Sequence, residues 1–380
     1  MKRWVGAILA GVLMISLIPT RAVAVEIPIT SKAAVLMEKT TGEILFAKNE
    51  HEAMPPASVT KVMTLLLTME AIDSGAIHYD DMVQVSAYAS SMGGSQVFLS
   101  EGEQISVEEL IKSVCVSSGN DAAVALAEYV CGVTELFVEK MNLRAKELGM
   151  NDTHFVNCTG LTAEGHVTSA YDIALMSREL ILHHPDIRNY TTIWMDTIRN
   201  GTFGLSNTNK LVRFYDGCTG LKTGYTAEAG YCISATAERD GMELIATIMH
   251  GATSDSRNTD AKALLNYGFS TYSLTEIQPE TALEPLPVIM GTADAVPLEL
   301  EQGEACILLE KRAMGTLEQK LSLPREIEAP VAAGQKVGEL TICNDGAEIK
   351  TISICAAEEV SRLTWGGVFT KVLKMAMFRG

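Results

Sequence analysis

Ser58 and Lys61 stand three residues apart in "PPASVTKVMT", directly behind Pro55 and Pro56. The prolines end the preceding segment, and the apolar run "SVTKVMTLLLTMEAIDSG" predicts a helix from Ser58 to Gly75. A spacing of three puts both side chains on one helical face. A hydroxyl there sits at the positive end of the helix dipole, beside backbone N–H groups able to meet an oxyanion. That is the setting of an acyl-transfer nucleophile, with Lys61 as its base. A lysine is a base only when neutral, and its reference pKa near 10.4 leaves about one in several thousand neutral at pH 7. Bringing it to neutrality takes burial beside a second cation, at about 4 kcal/mol. Alone, the pair is a weak motif and reads more readily as an N-cap serine and a solvated lysine.

Two further stretches supply partners. "SSGND" places Ser118, Gly119 and Asn120 between two predicted helices, and "GLKTGYT" places Lys222, Thr223 and Gly224 on a predicted strand. Each by itself reads as a cap or a turn. Together, in this order, they form a specific pattern, and Lys222 is the cation that Lys61 lacks. Ser-x-x-Lys, Ser-x-Asn and Lys-Thr-Gly are signatures of the penicillin-interacting serine enzymes. With "SSGNDAAVALAE", "FVNCTGL", "GLKTGYTAEAGYC" and "AKALLNYGF", the chain resembles the secreted serine D-alanyl-D-alanine carboxypeptidases, the low-molecular-mass penicillin-binding proteins, over about residues 30–270.

The resemblance implies roles for the matching residues. Ser58 attacks the carbonyl between the two terminal D-alanines of a peptidoglycan stem peptide. Lys61 is the general base, and Ser118 relays a proton to the departing D-alanine. Asn120 orients Lys61 and holds the substrate amide. Lys222 and Thr223 meet the terminal carboxylate, with Gly224 beside them. The N–H groups of Ser58 and Tyr225 form the oxyanion hole. Arg257, in "GATSDSRNTDAKALL", helps to seat the carboxylate as a bidentate donor. β-Lactam antibiotics are implied as covalent inhibitors, with no cofactor. His166, in "GHVTSAYD", reads as a structural or cleft-edge residue, because the lysine already fills the base role.

Three other readings compete. A class A β-lactamase shares the motifs but needs a deacylating glutamate in an E-x-x-L-N-like stretch, and none is present; "ELGMN" has the wrong spacing. A D,D-endopeptidase acting on cross-linked stems belongs to the same family. A catalytically silent peptidoglycan-binding scaffold would have no use for Ser58, Lys61, Ser118, Asn120 and Lys222 together.

The elements that must position these residues are legible in outline. "AAVLMEKTTGEILFAKN" reads as a hairpin, and "AGYCISATAE" and "MELIATIMH" as strands joined by an "ERDG" turn. Helices fill the middle: "ISVEELIKSVCV", "NDAAVALAEYV", "TELFVEKMNLRAKELGM" and "SAYDIALMSRELILHH", with "DAKALLNYGF" later. Strands at both ends and helices between suit a sheet flanked by helices with a helical subregion inserted. The resemblance makes this an α/β catalytic domain of the β-lactamase/transpeptidase-like type, with an antiparallel sheet, over 25–275. Residues 276–357 change to short strand-like runs and turns, a small all-β domain. Residues 358–380 hold a basic amphipathic helix: Trp365, Val368, Phe369, Val372, Leu373, Met375 and Ala376 share a face, with Lys371 and Lys374 opposite. That pattern suits a membrane-surface anchor.

At the other end, Lys2 and Arg3, an apolar run from Trp4 to Ile18, and Ala22-Val23-Ala24 make residues 1–24 a signal peptide. The expected location is therefore the outer face of the cytoplasmic membrane and the wall. The formal charge of −17 speaks against a nucleic-acid partner, which needs a basic face. None of the eight cysteines forms C-x-x-C and the histidines are scattered, so no metal site is expected. Several cysteines lie in apolar runs and read as small buried hydrophobes.

Overall fold

The computed structural model describes residues 27–301 and 305–369. The expected signal peptide and residues 370–380 of the expected tail lie outside them. Five antiparallel strands form the central sheet: β1 (Ala33–Glu38), β2 (Ile44–Lys48), β3 (Cys218–Thr226), β4 (Gly230–Arg239) and β5 (Met242–Gly251), in the order β2-β1-β5-β4-β3. β1 has every residue buried, as a strand covered on both faces must. It joins the two ends of the domain, pairing Ala34 with Ile248 and Leu36 with Ala246. Alternation along it sorts two cores: Ala33, Val35 and Met37 point into the larger, helical one, and Ala34 and Leu36 into the smaller.

The inserted helices are α1 (Lys61–Asp73), α2 (Val107–Ser117), α3 (Asn120–Cys131), α4 (Thr134–Glu147) and α5 (Ala170–His183). α1 is buried on all sides from Lys61 to Met69, as an evenly apolar helix should be. Leu65, Leu66 and Leu67 are fully buried, each worth about 1.5–3 kcal/mol. That burial pins the helix start, and Lys61 with it, inside the protein. α6 (Ser254–Thr271), opened by a Thr253–Ser256 capping box, covers the other sheet face with Ala261, Leu264, Leu265 and Phe269.

Two expectations need correction. The helix expected from Ser58 begins at Lys61, and residues Ala57–Thr60 are a 3-10 turn. The tighter first turn follows from Ala57, whose φ of +49° sets the chain in the left-handed region just before the serine. Two short antiparallel pairings also escaped the sequence reading, Met82–Gln84 with Gln104–Ser106, which takes the first two residues of the expected "ISVEELIKSVCV" helix, and Met195–Ile198 with Phe203–Ser206. Strands of three or four residues are too short to show an alternation.

Past α6 the chain runs straight into β6 (Tyr272–Glu276), β7 (Leu286–Ile289), β8 (Leu298–Leu300), β9 (Cys306–Glu310), β10 (Leu317–Ser322), β11 (Lys336–Asn344) and β12 (Ala347–Ala356). β8, β12, β11 and β10 form one four-stranded sheet, and β6 pairs with β9. Val288, Val296, Leu340, Ile342, Ile352 and Ile354 build their common core. Residues 365–369 are helical, with Trp365 and Phe369 exposed. Among the described residues no helix is long and apolar enough to cross a membrane. Five cysteines (Cys115, Cys158, Cys232, Cys343 and Cys355) are buried, and Cys131, Cys218 and Cys306 are half-buried.

Candidate active site

The 3-10 turn does the first work. In such a turn residues i and i+3 eclipse, and Lys61 Nζ lies 2.9 Å from Ser58 Oγ. Lys61 is fully buried. Its amine also donates to Asn120 Oδ1 at 2.6 Å and to the Thr159 carbonyl at 2.7 Å. The Asn120 amide is oriented by its own Nδ2, which donates to the Gly93 carbonyl at 2.6 Å. Two of the three partners can therefore only accept. A neutral amine has two hydrogens and one lone pair. If the amine is neutral and both hydrogens go to the carbonyl oxygens, its lone pair faces Ser58 Oγ and can receive its proton.

Charge agrees with that geometry. Burial first, and the Lys222 ammonium second, hold the Lys61 amine well below the ordinary lysine range. The sequence asks for burial beside a second cation, and the structure ranks burial first. Desolvation leads because the whole α1 start is inside the core. Lys222 is itself buried, and burial, with Arg257 nearby, brings it down to about 7.

Lys222, Thr223 and Gly224 lie on β3, the sheet edge that faces the turn. A Cβ built on Gly224 would come within 2.9 Å of Pro56 O and Ser58 N and 3.0 Å of Val59 N, so only glycine lets the strand run this close. Lys222 Nζ donates to the Thr223 carbonyl at 2.8 Å, and Thr223 Oγ1 donates to Thr208 Oγ1 at 2.8 Å. The Tyr225 side chain is exposed and stacks on Tyr231 at 4.3 Å. Ser118 ends α2 with φ of +61°, and its buried Oγ has no hydrogen-bond partner. Arg257, buried in the first turn of α6, bonds neutral oxygens: Asn258 Oδ1 at 2.9 and 3.1 Å, Ser254 Oγ at 3.3 Å and Cys232 O at 3.4 Å. Burial lowers its pKa to about 10. The structure thus brings Ser58, Lys61 and Asn120 into direct contact, and sets Lys222, Thr223 and Gly224 along the facing strand.

Sequence reading gave no role to the loop that closes the floor. Asn157 Oδ1 accepts from Thr159 N, Thr159 Oγ1 and Gly160 N, an Asx-type turn that fixes the Thr159 carbonyl on Lys61. Gly160, with φ of +82°, lies against Ala57, where a Cβ would stand 1.8 Å from the Ala57 carbonyl oxygen. The asparagine and glycine of "NCTGL" were the available signal. His166 has the structural place expected of it. Its Nδ1 accepts from Val156 N at 2.9 Å, its Nε2 meets Thr60 Oγ1 at 2.8 Å, and Thr60 Oγ1 donates to the Ala57 carbonyl at 2.9 Å.

A serine beside a buried lysine, under the edge strand of an antiparallel sheet backed by a helical region, is the arrangement of a serine acyl hydrolase. Comparison with known proteins narrows this. Residues 20–253 match the D-alanyl-D-alanine carboxypeptidase family, and residues 272–362 match the C-terminal domain of penicillin-binding protein 5. The chain is 39% identical over 374 residues to D-alanyl-D-alanine carboxypeptidase DacF of Bacillus subtilis, covering 95% of each. Among solved structures, penicillin-binding protein 5 of Haemophilus influenzae superposes with a TM-score of 0.76 at 30% identity, over 88% of this chain and 98% of that one. Penicillin-binding protein D2 of Listeria monocytogenes, solved with ampicillin bound, gives 0.59 at 33% identity over 64% of this chain and 99% of its own. The chain belongs to the D-alanyl-D-alanine carboxypeptidase family of penicillin-binding serine peptidases.

Proposed function

We propose that the protein removes the terminal D-alanine from peptidoglycan stem pentapeptides through an acyl-enzyme on Ser58. One observation carries the reading: the lone pair of Lys61 faces Ser58 Oγ at 2.9 Å, because its other two partners are carbonyl oxygens. Lys61 takes the serine proton as Oγ attacks the carbonyl between the two D-alanines. The Ser58 and Tyr225 amides receive the oxyanion, where each donor is worth about 3–4 kcal/mol. Ser118, with its uncommitted hydroxyl, passes a proton to the leaving amine. Lys222, Thr223 and Arg257 seat the substrate carboxylate; Thr223 donates to it once Thr208 reverses and donates to Thr223. Asn120 holds the substrate amide and the Lys61 amine. Water then releases the shortened peptide.

The setting follows the same proposal. Residues 1–24 export the chain, 25–275 carry the reaction, and 276–357 hold that domain away from the membrane. Residues 358–380 lie on the lipid surface. Exposed Trp365 and Phe369, with Lys371 and Lys374 in the sequence beyond, support this last assignment.

The test uses the mature protein with a fluorescent penicillin and, separately, with diacyl-Lys-D-Ala-D-Ala. A stable adduct and free D-alanine are expected, both lost in Ser58→Ala. An adduct that hydrolyses within milliseconds would make the protein a β-lactamase, and neither product would leave only a silent binding protein.

A further inference from the structure

We infer that a cavity on the helical flank of the active site holds the side chain of the stem residue preceding D-Ala-D-Ala, and that it selects an alkyl chain ending in an ammonium group. This rests on the carboxypeptidase reading above. The cavity measures about 460 Å³, within the roughly 300–1,000 Å³ of small-molecule sites. Met92, Val124, Val138 and Leu161 make its walls apolar, and Tyr88 and Glu135 give it polar groups. Among the described residues, Glu135 is the one charged side chain that lines it.

Its place relative to the catalytic groups identifies the occupant. Thr159 lines the cavity while its carbonyl accepts from the Lys61 amine. Leu161 neighbours Asn120 across Gly94: a Cβ on Gly94 would lie 2.8 Å from Asn120 Nδ2 and 3.6 Å from Leu161 Cδ2. The cavity therefore opens immediately beside the group that holds the substrate amide. No lining residue comes from β3, β4 or α6, which carry Lys222, Thr223 and Arg257. A peptide whose carboxylate is seated on that sheet flank directs its acyl portion the other way, towards Asn120 and the cavity. The first long side chain it meets there is that of the residue before D-Ala-D-Ala.

Wall and rim chemistry set the preference. Apolar walls reward methylenes, and Glu135 rewards a cation at the chain end. The same carboxylate repels a terminal carboxylate, so a lysine or an amidated diaminopimelate side chain is favoured over a free diaminopimelate. The carboxylate is exposed, so the ion pair adds only a few-fold, while three or four buried methylenes add tenfold or more.

The experiment compares kcat/KM for D-alanine release from four peptides, X-D-Ala-D-Ala with X as L-lysine, Nε-acetyl-L-lysine, meso-diaminopimelate or L-alanine. Lysine is expected to exceed alanine at least tenfold, and to exceed acetyl-lysine and diaminopimelate about three- to fivefold. Glu135→Gln should abolish the advantage over acetyl-lysine and diaminopimelate, and Glu135→Lys should invert it towards diaminopimelate. Val138→Trp, which fills the cavity, should bring the lysine-to-alanine ratio near one. Ratios within one variant cancel any general loss from misfolding. Unchanged ratios in Glu135→Gln and Val138→Trp, with D-alanine still released, would overturn the cavity assignment alone. No D-alanine from any peptide, with or without penicillin acylation, would overturn the carboxypeptidase reading and this assignment with it.

Discussion

The two flanks of the active site hold lysines under nearly the same burial, yet the proposed mechanism needs them in opposite charge states. On the helical flank, Lys61 has two carbonyl oxygens and the nucleophile around its amine. On the sheet flank, Lys222 has the Thr223 carbonyl, and Arg257 has neutral oxygens. Burial lowers all three, with the Lys222 charge adding to the depression of Lys61 and the Arg257 charge to that of Lys222. In the proposed mechanism Lys61 is neutral and acts as the base. Lys222 and Arg257 have only neutral oxygens as hydrogen-bond partners, which suits the carboxylate seat proposed for them. Burial is common to both amines; what differs is that Lys61 also meets the Ser58 hydroxyl, whereas Lys222 meets only the Thr223 carbonyl.

Removing the base is the strongest way to break this comparison. Lys61→Met should lower the second-order rate of penicillin acylation by about 10²–10⁴-fold, the worth of a positioned general base. Stopped-flow acylation checks it. A variant acylating within tenfold of the wild type would mean that Lys222 serves as the base, and that the flanks are not distinct.

Lys222 sharpens the comparison through pH. Activity needs Lys61 neutral and Lys222 charged, so kcat/KM should rise through the depressed Lys61 pKa and fall above about 7 in the free enzyme. Stability should move differently. The folded pKa of Lys222 lies below its unfolded value, so between about pH 7 and 10 the unfolded chain binds the extra proton. Stability attributable to this residue therefore increases with pH over that window. Lys222→Met should stabilise the protein at pH 7 by about 2–4 kcal/mol while acylation collapses, and should flatten the rise between pH 7 and 10. Denaturant melts at pH 7, 8.5 and 10 check both. A variant less stable than wild type at pH 7 would make Lys222 a structural residue.

These contrasts also mark what the sequence could carry. Ser58 with Lys61, Ser118 with Asn120, and Lys222 with Thr223 were legible because each chemistry needs particular side chains at short spacing. The strand–helix–strand order was legible from periodicity. The Thr159 carbonyl was not, because a backbone acceptor has no residue type to betray it. Nor was the approach of Gly224 to the Ser58 turn, which depends on β3 lying at the sheet edge. The 3-10 start was hidden for the same reason: Ala57 in the left-handed region is set by the packing of Gly160 on its carbonyl, not by its own propensity.

His166 offers the smallest effect and tests how the helical flank is held. Val156 N–H donates to its Nδ1, so the ring proton sits on Nε2 and is given to Thr60 Oγ1, whose own hydrogen goes to the Ala57 carbonyl. Every link has one direction, and the chain ends one residue before Ser58. Burial, with His154 nearby, lowers the His166 pKa to about 4. A second ring proton would face the Val156 N–H, donor against donor. Since the unfolded value is higher, the unfolded chain binds more protons between about pH 4 and 6.5. The contribution of the neutral ring is complete above about 6.5 and is lost as pH falls towards 4, on the order of 2–3 kcal/mol. His166→Phe should cost about 1–3 kcal/mol at pH 7 through the unmet Val156 N–H and Thr60 hydroxyl, yet lose less on acidification than the wild type. Acylation by penicillin should fall several-fold at pH 7, through the loosened Ala57–Thr60 turn rather than through any proton taken by the ring. Equal stability slopes between pH 6.5 and 4 would show that His166 does not hold the turn. A loss of acylation as large as that of Lys61→Met would move the histidine from positioning the nucleophile to catalysis.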